Sequence, residues 1–357
     1  MTAPGGGVTK PVEEEPRKKL LTPQDTDEDR VLNLSLRPNR LTEFFGQETV
    51  IENLKVSLQA AKRRKEPIEH ILFSGPPGLD KTSLAHIIAH EMGGRITATS
   101  GPAVGRAGDL IGILTNLGEG DILFIDEIHR LSKVVEEFLY PAMESYQIDF
   151  VIDKGPYAKT IKFNLKPFTL IGATTRSGLL TAALRERFGI FHHLNFYEAD
   201  QIVKIIERSS RILKLSIDAE GSVEIARRSR GTPRVANRLL RRVRDFAEVK
   251  GKGKITRDIA EKALEALGVD AQGLDEVDRR VLQAILDLYD GGPVGVESLS
   301  ATLNEEPDTL VDVVEPYLLK IGYLKRTPRG REATKLAYQH FQRPFPKEIQ
   351  PELFQKE

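Results

Sequence analysis

The chain has 357 residues, of which 40% are hydrophobic and 29% are charged, a composition typical of a globular protein with two or three domains. Its 52 basic and 52 acidic residues cancel, so any surface for nucleic acid has to be local. The sequence has no cysteine, which excludes disulfides and thiolate metal sites and fits a reducing cytoplasm. We find no long apolar run and no signal segment, and therefore expect a cytoplasmic protein without membrane association.

Composition and pattern divide the chain into four predicted regions. Residues 1–30 are rich in Gly, Pro, Glu, Lys and Asp, and we predict a disordered arm. Residues 31–196 alternate apolar runs with amphipathic stretches, which predicts an α/β domain with a parallel sheet. Residues 197–268 predict a small, all-helical domain. Residues 269–357 predict three helices and a basic ribbon, as in a winged helix.

The α/β region carries both strand and helix patterns. Short apolar runs that lead into polar or Gly-rich residues are typical of buried parallel strands. They occur at residues 71–73, 122–125 and 168–171. Helices are predicted at residues 56–64, 81–92 and 134–144. In the C-terminal region, helices are predicted at residues 275–289, 296–303 and 307–321, followed by the ribbon at 323–326.

One segment interrupts this rhythm. Residues 147–152 and 160–165 alternate in character, with Lys-Gly-Pro at 154–156 between them. This pattern predicts an antiparallel hairpin inserted into the α/β domain. Its alternating residues include Ile148, Phe150, Ile161 and Phe163. An exposed apolar hairpin indicates a partner site; the alternative is that one face folds back onto the domain.

The strongest local signal is Gly-Pro-Pro-Gly-Leu-Asp-Lys-Thr at residues 75–82, where a strand should become a helix. In a P-loop, backbone N–H groups surround the phosphates, Lys81 reaches the β- and γ-phosphates, and the Thr82 hydroxyl holds Mg²⁺. The alternative is a simple Gly/Pro turn. The apolar run at 122–125 ends in Asp126, placed to order Mg²⁺, and Glu127, placed to polarise the attacking water.

Two further segments suit phosphate chemistry. Residues 172–176 read Gly-Ala-Thr-Thr-Arg, and the hydroxyl of Thr174 is a candidate for orienting water or sensing the γ-phosphate. Residues 184–188 place Arg185 and Arg187 beside an apolar anchor. An arginine supplied across a subunit interface would neutralise charge in the transition state. We assign that role to Arg187 and expect a surface ion pair for Arg185.

Together these motifs resemble the RuvB family of AAA+ motors. The matching strings lie at residues 36–38, 45–47, 100–102, 125–131, 140–144, 172–176, 187–189, 231–234 and 326–331. The resemblance covers about residues 31–342. The continuation His-Arg-Leu after the acidic pair and the C-terminal Arg-Thr-Pro-Arg-Gly-Arg string are the most specific, since the P-loop motifs alone indicate only some AAA+ protein.

The resemblance implies an α/β fold: an AAA+ P-loop parallel-sheet domain, a helical lid and a C-terminal winged-helix domain. It implies an ATP- and Mg²⁺-dependent homo-hexamer that moves duplex DNA out of a Holliday junction held by RuvA, with RuvC as a further partner. RuvA would dock on the hairpin around Ile148 and Phe163. Implied catalytic residues are Asp126, Glu127, Thr174 and Arg187, and implied Mg²⁺ ligands are Thr82 and Asp126.

Further positions follow from the same resemblance. Leu36 and Arg37 would touch the adenine, and Arg234 would sense the γ-phosphate. Phosphates would be held by Gly78, Lys81, Thr82 and Ser83. The nucleotide pocket would also be lined by Glu144, Ser145, Tyr146, Arg187 and Tyr197. Arg326 and Arg331 in the wing would contact DNA phosphate.

The chain departs from the family pattern at residue 80, where Asp stands in place of the expected Gly. Asp adds a Cβ and a negative charge beside a polyanion. Two unit charges about 4 Å apart interact by roughly 4 kcal/mol at an effective dielectric of 20. The alternative function is therefore a ring subunit that binds DNA and RuvA without efficient ATP turnover. A clamp-loader subunit is a third possibility, and the winged-helix head argues against it.

Overall fold

The computed structural model describes residues 35–152 and 159–346. The predicted N-terminal arm and the predicted hairpin turn at 154–156 lie outside the described residues. Among the described helices, none combines the length and the apolarity needed to cross a membrane.

A parallel sheet forms the centre of the N-terminal domain. Within the described residues its five strands are β1 (Ile71–Ser74), β2 (Ile96–Ser100), β3 (Ile122–Asp126), β6 (Thr169–Thr174) and β7 (Ile190–His193). Their order across the sheet is β2-β3-β6-β1-β7, and every neighbouring pair is parallel. β1, β3 and β6 therefore lie inside the sheet, and their carboxyl ends share one edge.

Alternation along the strands divides the core into two layers. Ile71 and Phe73 face one side, with the lid, and Leu72 faces the other. Helices of this domain cover both faces: Glu48–Arg64, Lys81–Met92, Ala107–Thr115, Lys133–Ser145 and the short Ala182–Arg185. The helix Lys81–Met92 starts directly after the P-loop, so its N-terminus and the ends of β1 and β3 meet at one place.

The sequence predicted the three inner strands and missed the two edge strands. β1, β3 and β6 are covered on both faces, and that burial requires the continuous apolar runs that marked them. β2 reads Ile-Thr-Ala-Thr-Ser and β7 reads Ile-Phe-His-His, and both are partly exposed. An edge strand needs fewer apolar residues, so its pattern is weaker. The first helix also begins at Glu48, earlier than the predicted residue 56.

The predicted hairpin is present as β4 (Gln147–Ile152) and β5 (Lys159–Asn164). The strands are antiparallel, with Ile148 opposite Phe163. Ile148 is fully buried in the core beneath the helix Lys133–Ser145, whereas Phe163 is 43% exposed. The expectation that Ile148 belongs to an exposed docking face is therefore wrong, because the base of the hairpin folds back onto the domain. Phe163 stays at the surface.

The lid that follows is mainly helical. Its helices are Ala199–Ile212, Ala219–Arg228, Pro233–Lys250 and Arg257–Ala266. Two short strands, β8 (Ser216–Ile217) and β9 (Lys254–Ile255), pair in parallel between them, so the expectation of an all-helical domain needs this correction. The long helix begins with Pro233 at its first position, as its fixed φ favours. Arg234 follows it and faces the P-loop.

The C-terminal head is a winged helix with its own core. Its helices are Glu276–Leu288, Val296–Leu303, Pro307–Thr309, Glu315–Lys320 and Lys335–His340, and its wing is β10 (Leu324–Thr327) with β11 (Gly330–Ala333). The helix predicted over 307–321 contains a π-helical turn, Leu310–Val314. Pro316 lacks the N–H that a regular helix would use there, which accounts for the wider turn.

A buried ion pair joins the lid to the head. Arg230 of the lid donates to the carboxylate of Asp278 and, at 2.9 Å, to the carbonyl of Gly273. Asp278 is fully buried, and Asp275 adds a second carboxylate to Arg230 at 3.2 Å. Removing one partner of such a pair would leave a buried charge unmatched, so the pair fixes how the head sits on the lid.

Candidate nucleotide-binding and catalytic site

The P-loop connects β1 to the helix Lys81–Met92 through left-handed backbone. Gly75 has φ +136° and Gly78 has φ +78°. A Cβ on Gly78 would come within 2.8 Å of the Thr232 side chain, and one on Gly75 within 2.4 Å of the Leu194 carbonyl. Both positions therefore require glycine for their conformation and for space. The helix N-terminus then directs its unpaired N–H groups towards the cleft.

Lys81 is held within the loop that it serves. Its Nζ donates to the carbonyls of Gly75 at 2.7 Å and Pro76 at 2.9 Å, and the residue is 7% exposed. Burial lowers the pKa of Lys81 to about 8, against the opposing attraction of Asp126 and Glu127. The ammonium lies beside the two acids in a cleft with weak solvation, where an added polyphosphate would favour its charged form.

Asp80 occupies the left-handed position that glycine fills in the family pattern. Its φ and ψ are 63° and 25°, a conformation that Asp adopts more readily than most residues. Its side chain lines the cleft and accepts a hydrogen bond from Ser83 Oγ at 3.3 Å, so it does not simply project away from the loop. Burial raises the pKa of Asp80, and nearby Arg234 opposes that rise.

A single cleft collects most of the predicted nucleotide-binding residues. Its walls include Leu36, Arg37, Gly78, Lys81, Thr82, Ser83, Asp126, Glu127 and Arg234. Arg208 and Asn237 of the lid complete it and were not predicted. Arg208 Nη1 donates to the Leu36 carbonyl at 2.6 Å, so a lid helix secures the N-terminal segment of the cleft. Arg208 carries no motif in the sequence, and only its place in the fold marks it.

Two acids at the end of β3 face this cleft. Asp126 Oδ1 accepts the backbone N–H of Glu127 at 3.0 Å. Glu127 itself has left-handed backbone, with φ 46°. One of its carboxylate oxygens, Oε2, accepts from the N–H and the hydroxyl of Thr175 at 3.2 and 3.1 Å and lies 3.2 Å from His129 Nδ1. The carboxylate is therefore oriented by Thr175 and His129.

The sequence suggested Thr174 as the polar residue beside the phosphate chemistry, but the structure places Thr174 against His129 and Thr175 against Glu127. Thr174 is fully buried, and its hydroxyl lies 2.9 Å from His129 Nδ1. The neighbouring Thr175 contacts Glu127 directly. Successive side chains at a strand end point to opposite sides, so one of two adjacent hydroxyls reaches the acid. The sequence marked the threonine pair without distinguishing its members.

Another group of predicted residues lies outside the cleft of its own chain. Arg187 Nη2 pairs with Glu144 Oε1 at 2.8 Å, and its guanidinium lies 4.3 Å from the ring centre of Tyr140. Ser145 is the last residue of the helix Lys133–Ser145, and its hydroxyl donates to the Pro141 carbonyl at 3.0 Å. None of Glu144, Ser145, Tyr146 and Arg187 is among the described residues that line the cleft. Tyr146 packs edge-on against Phe168 instead.

Tyr197 is buried at the back of the P-loop rather than in the cleft wall. It is 1% exposed, and its ring fills the space beside Gly46, where a Cβ would approach within 2.7 Å. Burial, with a smaller contribution from Asp80, raises the pKa of Tyr197 well above its ordinary value. Its backbone N–H donates to the Gly231 carbonyl at 2.9 Å, which fixes the first residue of the lid against the turn that precedes the helix Pro233–Lys250.

The two wing arginines meet at one buried carboxylate. Glu315 is 1% exposed; Arg326 Nε donates to its Oε2 and Arg331 Nε to its Oε1, each at 2.7 Å. Arg326 stays 48% exposed, whereas Arg331 is 17% exposed. Two guanidinium groups share one carboxylate, so part of the positive charge expected at the wing is neutralised within the head.

Fold and site define a P-loop ATPase of the AAA+ class, with a helical lid over the nucleotide cleft and a winged-helix head. Three family models agree with this class along the chain. Residues 36–194 match the Holliday junction DNA helicase RuvB P-loop domain, residues 197–270 the RuvB AAA lid domain, and residues 271–342 the RuvB C-terminal winged helix domain.

Solved structures give the same result. The Thermotoga maritima RuvB Holliday junction branch migration motor has a TM-score of 0.82 and 49% identity, over 87% of this chain and 100% of the other. A single-substitution variant of the same protein matches with a TM-score of 0.82 and 50% identity, over 87% and 99% of the two chains. The chain belongs to the RuvB family, whose members are P-loop motors of Holliday junction branch migration.

Proposed function

We propose that this chain is the ATP-hydrolysing subunit of a homo-hexameric ring that drives branch migration of Holliday junctions together with RuvA in the cytoplasm. The observation that carries the proposal is the convergence of Lys81, Thr82, Asp126, Glu127 and Arg234 on one cleft. These residues come from the P-loop, from β3 and from the lid, which are distant in sequence. Functionally, we divide the chain at residues 196 and 268 into motor domain, lid and head, after the arm of residues 1–30.

Each residue in the cleft has a role that its position supports. Leu36 and Arg37 line the same cleft, and we assign them to the nucleoside side. Lys81 transfers its hydrogen bonds from the loop carbonyls to the phosphates, whose negative charge raises its pKa again. Glu127, with one oxygen held by Thr175, polarises the attacking water. Arg234 contacts the γ-phosphate from the lid and so links nucleotide state to lid position.

The cleft also fits Mg²⁺. Thr82 and Asp126 both line it and supply a hydroxyl and a carboxylate oxygen, the ligand types that this hard cation prefers. We assign these two residues as its protein ligands. When bound with the nucleotide, Mg²⁺ neutralises charge on the β- and γ-phosphates.

Arg187 serves a neighbouring subunit. Its own cleft does not include it, and its guanidinium is held in place by Glu144 and Tyr140. With Glu144, Ser145 and Tyr146 it forms one side of a subunit interface, from which Arg187 reaches the γ-phosphate of the adjacent cleft. An arginine delivered in this way neutralises the transition state only when two subunits meet.

Partners are assigned to the remaining surfaces. The wing contacts duplex and junction DNA through Arg326 and, to a lesser degree, Arg331, which is more enclosed. Phosphate contacts of this kind carry no sequence information, as a motor on any duplex requires. RuvA docks on the hairpin near Phe163. RuvC is assigned as a third member of the assembly by family resemblance alone.

Asp80 supports a second candidate function, a ring subunit with impaired turnover. Its carboxylate lies in the cleft, where it adds negative charge close to the phosphates. Arg234, Arg37 and Arg208 attract that charge and oppose the penalty. The balance between these two effects decides between a working motor and a subunit that holds DNA without efficient turnover.

Steady-state ATP hydrolysis with and without duplex DNA tests the two candidates. We expect measurable turnover in the natural chain, an increase in Asp80→Gly, and none in Glu127→Gln, which keeps nucleotide binding. Asp80→Asn is the matched control, since it removes the charge and keeps the Cβ. If Asp80→Gly and Asp80→Asn have equal affinity for ATP, the negative charge of Asp80 is the cause of the impairment. Undiminished hydrolysis by Glu127→Gln would remove that residue from its role.

A further inference from the structure

An ion pair connects the winged-helix head to the ATPase domain close to the catalytic acids. Arg176 donates from Nε to Asp312 Oδ1 at 2.6 Å and from Nη2 to Asp312 Oδ2 at 2.8 Å. Nη2 also donates to Asp308 Oδ1 at 2.8 Å. The Asp312 side chain is 25% exposed and that of Asp308 is 66% exposed. The two-pronged contact with Asp312 is thus better shielded and more strongly oriented.

The same short segment orients Glu127. Arg176 directly follows Thr175, whose N–H and hydroxyl both donate to Glu127 Oε2. The backbone N–H of Arg176 donates to Thr174 Oγ1 at 3.0 Å, so the chain is fixed on both sides of Thr175. Anchoring the guanidinium of Arg176 therefore limits how far Thr175, and with it the carboxylate, can move.

Asp312 is carried by an irregular part of the head. It lies in the π-helical turn Leu310–Val314, immediately before the helix that contains Glu315. Widened helical turns of this type occur often at functional sites. Glu315 in turn holds Arg326 and Arg331 of the wing. Asp312, which holds Arg176, and Glu315, which holds the wing, are thus three residues apart on one helical stretch.

We propose that Asp312 is a positioning residue for ATP hydrolysis, acting through Arg176 and Thr175 on Glu127. This inference rests on the proposed ATPase function. The head holds the segment that orients the catalytic carboxylate, so a displacement of the head on DNA changes that hold. The ion pair thereby links engagement of duplex by the wing to hydrolysis in the same subunit.

The competing explanation is that Asp312 merely docks the head. A second contact between head and ATPase region separates the two explanations. Lys320 Nζ donates to the Tyr197 carbonyl at 3.4 Å and lies 4.9 Å from the ring centre of Phe196. This contact does not involve the Thr174–Arg176 segment. Lys320→Gln therefore weakens docking without releasing Thr175, and serves as the matched control for Asp312→Asn.

The experiment compares kcat and KM for ATP in the natural chain, Asp312→Asn, Asp312→Glu and Lys320→Gln, each also combined with Asp80→Gly. We expect Asp312→Asn to lower kcat about tenfold, within the roughly hundredfold that a small misplacement of a catalytic group can cost. KM should change by less than about twofold, because nucleotide binding is untouched. Asp312→Glu should recover most of the turnover, and Lys320→Gln should keep it.

Amide exchange of the peptide containing Thr175 and Arg176 gives a second readout that needs no turnover. Asp312→Asn should accelerate exchange there, and Lys320→Gln should not. Equal kcat in the two variants, or unchanged exchange in Asp312→Asn, overturns the inference. If none of the proteins that carry Asp80→Gly hydrolyses ATP, the proposed function fails. Amide exchange of the peptide then still decides whether Asp312 holds the segment.

Discussion

Asp80 shows how much one residue can alter in a P-loop. The left-handed backbone at this position explains why the family pattern places glycine there, and Asp tolerates that backbone. The effect of Asp80 is therefore electrostatic rather than conformational. Ser83 and three arginines near the carboxylate offset its charge, and burial raises its pKa, so its neutral form becomes easier to reach near the phosphates. The penalty is smaller than two bare charges would suggest.

His70 makes a pH-dependent contribution to stability at the base of the sheet. Its Nδ1 accepts the Leu170 N–H at 2.9 Å, so Nε2 carries the proton shared with the Met143 carbonyl at 3.0 Å. Burial lowers the pKa of His70, against smaller opposing effects of the hydrogen bond with the Met143 carbonyl and of Glu69. The folded state thus binds fewer protons than the unfolded state. The contribution of His70 to stability is therefore fully present above the ordinary pKa of 6.5 and is lost as the pH falls below that value.

We expect this effect to be visible in unfolding at about pH 7.5 and about pH 5.5. The natural chain should lose more stability over that interval than His70→Gln, by up to about 1.4 kcal/mol per pH unit. The difference between the two slopes isolates His70 from the other histidines. Equal slopes in both proteins would show that His70 does not control this loss.

In the wing, the contacts that each arginine makes within the head determine how much of it is available to DNA. Arg326 and Arg331 were predicted to contact DNA, and both contact Glu315. Glu315 is nearly inaccessible, and each of its carboxylate oxygens accepts a hydrogen bond from one of these arginines. Arg331, the more enclosed of the two, mainly supports the wing, whereas Arg326 presents more of its surface to solvent.

The two arginines should therefore differ when replaced by alanine. Arg326→Ala should weaken binding to unrelated duplexes equally and reduce the log–log salt slope by roughly one unit. Arg331→Ala should mainly destabilise the head, by about 1–3 kcal/mol, because it removes the more enclosed of the two partners of a buried carboxylate. Thermal unfolding beside a salt series of DNA binding measures both. Identical profiles for the two variants would contradict this division.

The hairpin is likewise divided between core and surface. Phe163→Ser should reduce affinity for RuvA about tenfold or more while leaving the melting temperature unchanged, if the exposed ring is an interface anchor. Val56→Ser, at a side chain that is 65% exposed on another part of the domain, is the matched control. Ile148→Asp should instead unfold the domain, because burying a charge in a filled core lowers the free energy of unfolding by more than about 4 kcal/mol. Normal RuvA affinity in Phe163→Ser excludes that docking site.

On the proposed trans role of Arg187, activity of the whole molecule depends on pairing subunits, because Arg187 lies outside the cleft of its own chain. Arg187→Ala subunits should bind ATP and be inactive alone, and Lys81→Ala subunits should be inactive for lack of nucleotide. Mixed rings combine an intact cleft with an intact arginine at some interfaces and should regain part of the turnover. The measurement is ATP hydrolysis in rings verified to contain both variants; no recovery there would count against a trans role.

The sequence determined the features that depend on local chemistry. The P-loop, the acidic end of β3 and the inner strands were predictable because each is a contiguous run whose residue types follow from its own backbone and burial. Asp80 was recognised as a departure from the family's P-loop pattern. Sequence pattern predicted the helical region and the winged-helix region, and family resemblance identified them as lid and head, which the domain models match.

Tertiary structure decided the choices between similar neighbours and the pairs that are distant in sequence. Whether Thr174 or Thr175 meets Glu127 depends on which side of a strand faces the acid. Whether Ile148 or Phe163 is exposed depends on which strand of the hairpin packs beneath the helix Lys133–Ser145. The contact of Arg176 with Asp312 joins residues 136 positions apart. Such contacts leave no local pattern, because they arise only when packing of separate hydrophobic cores brings their surfaces together.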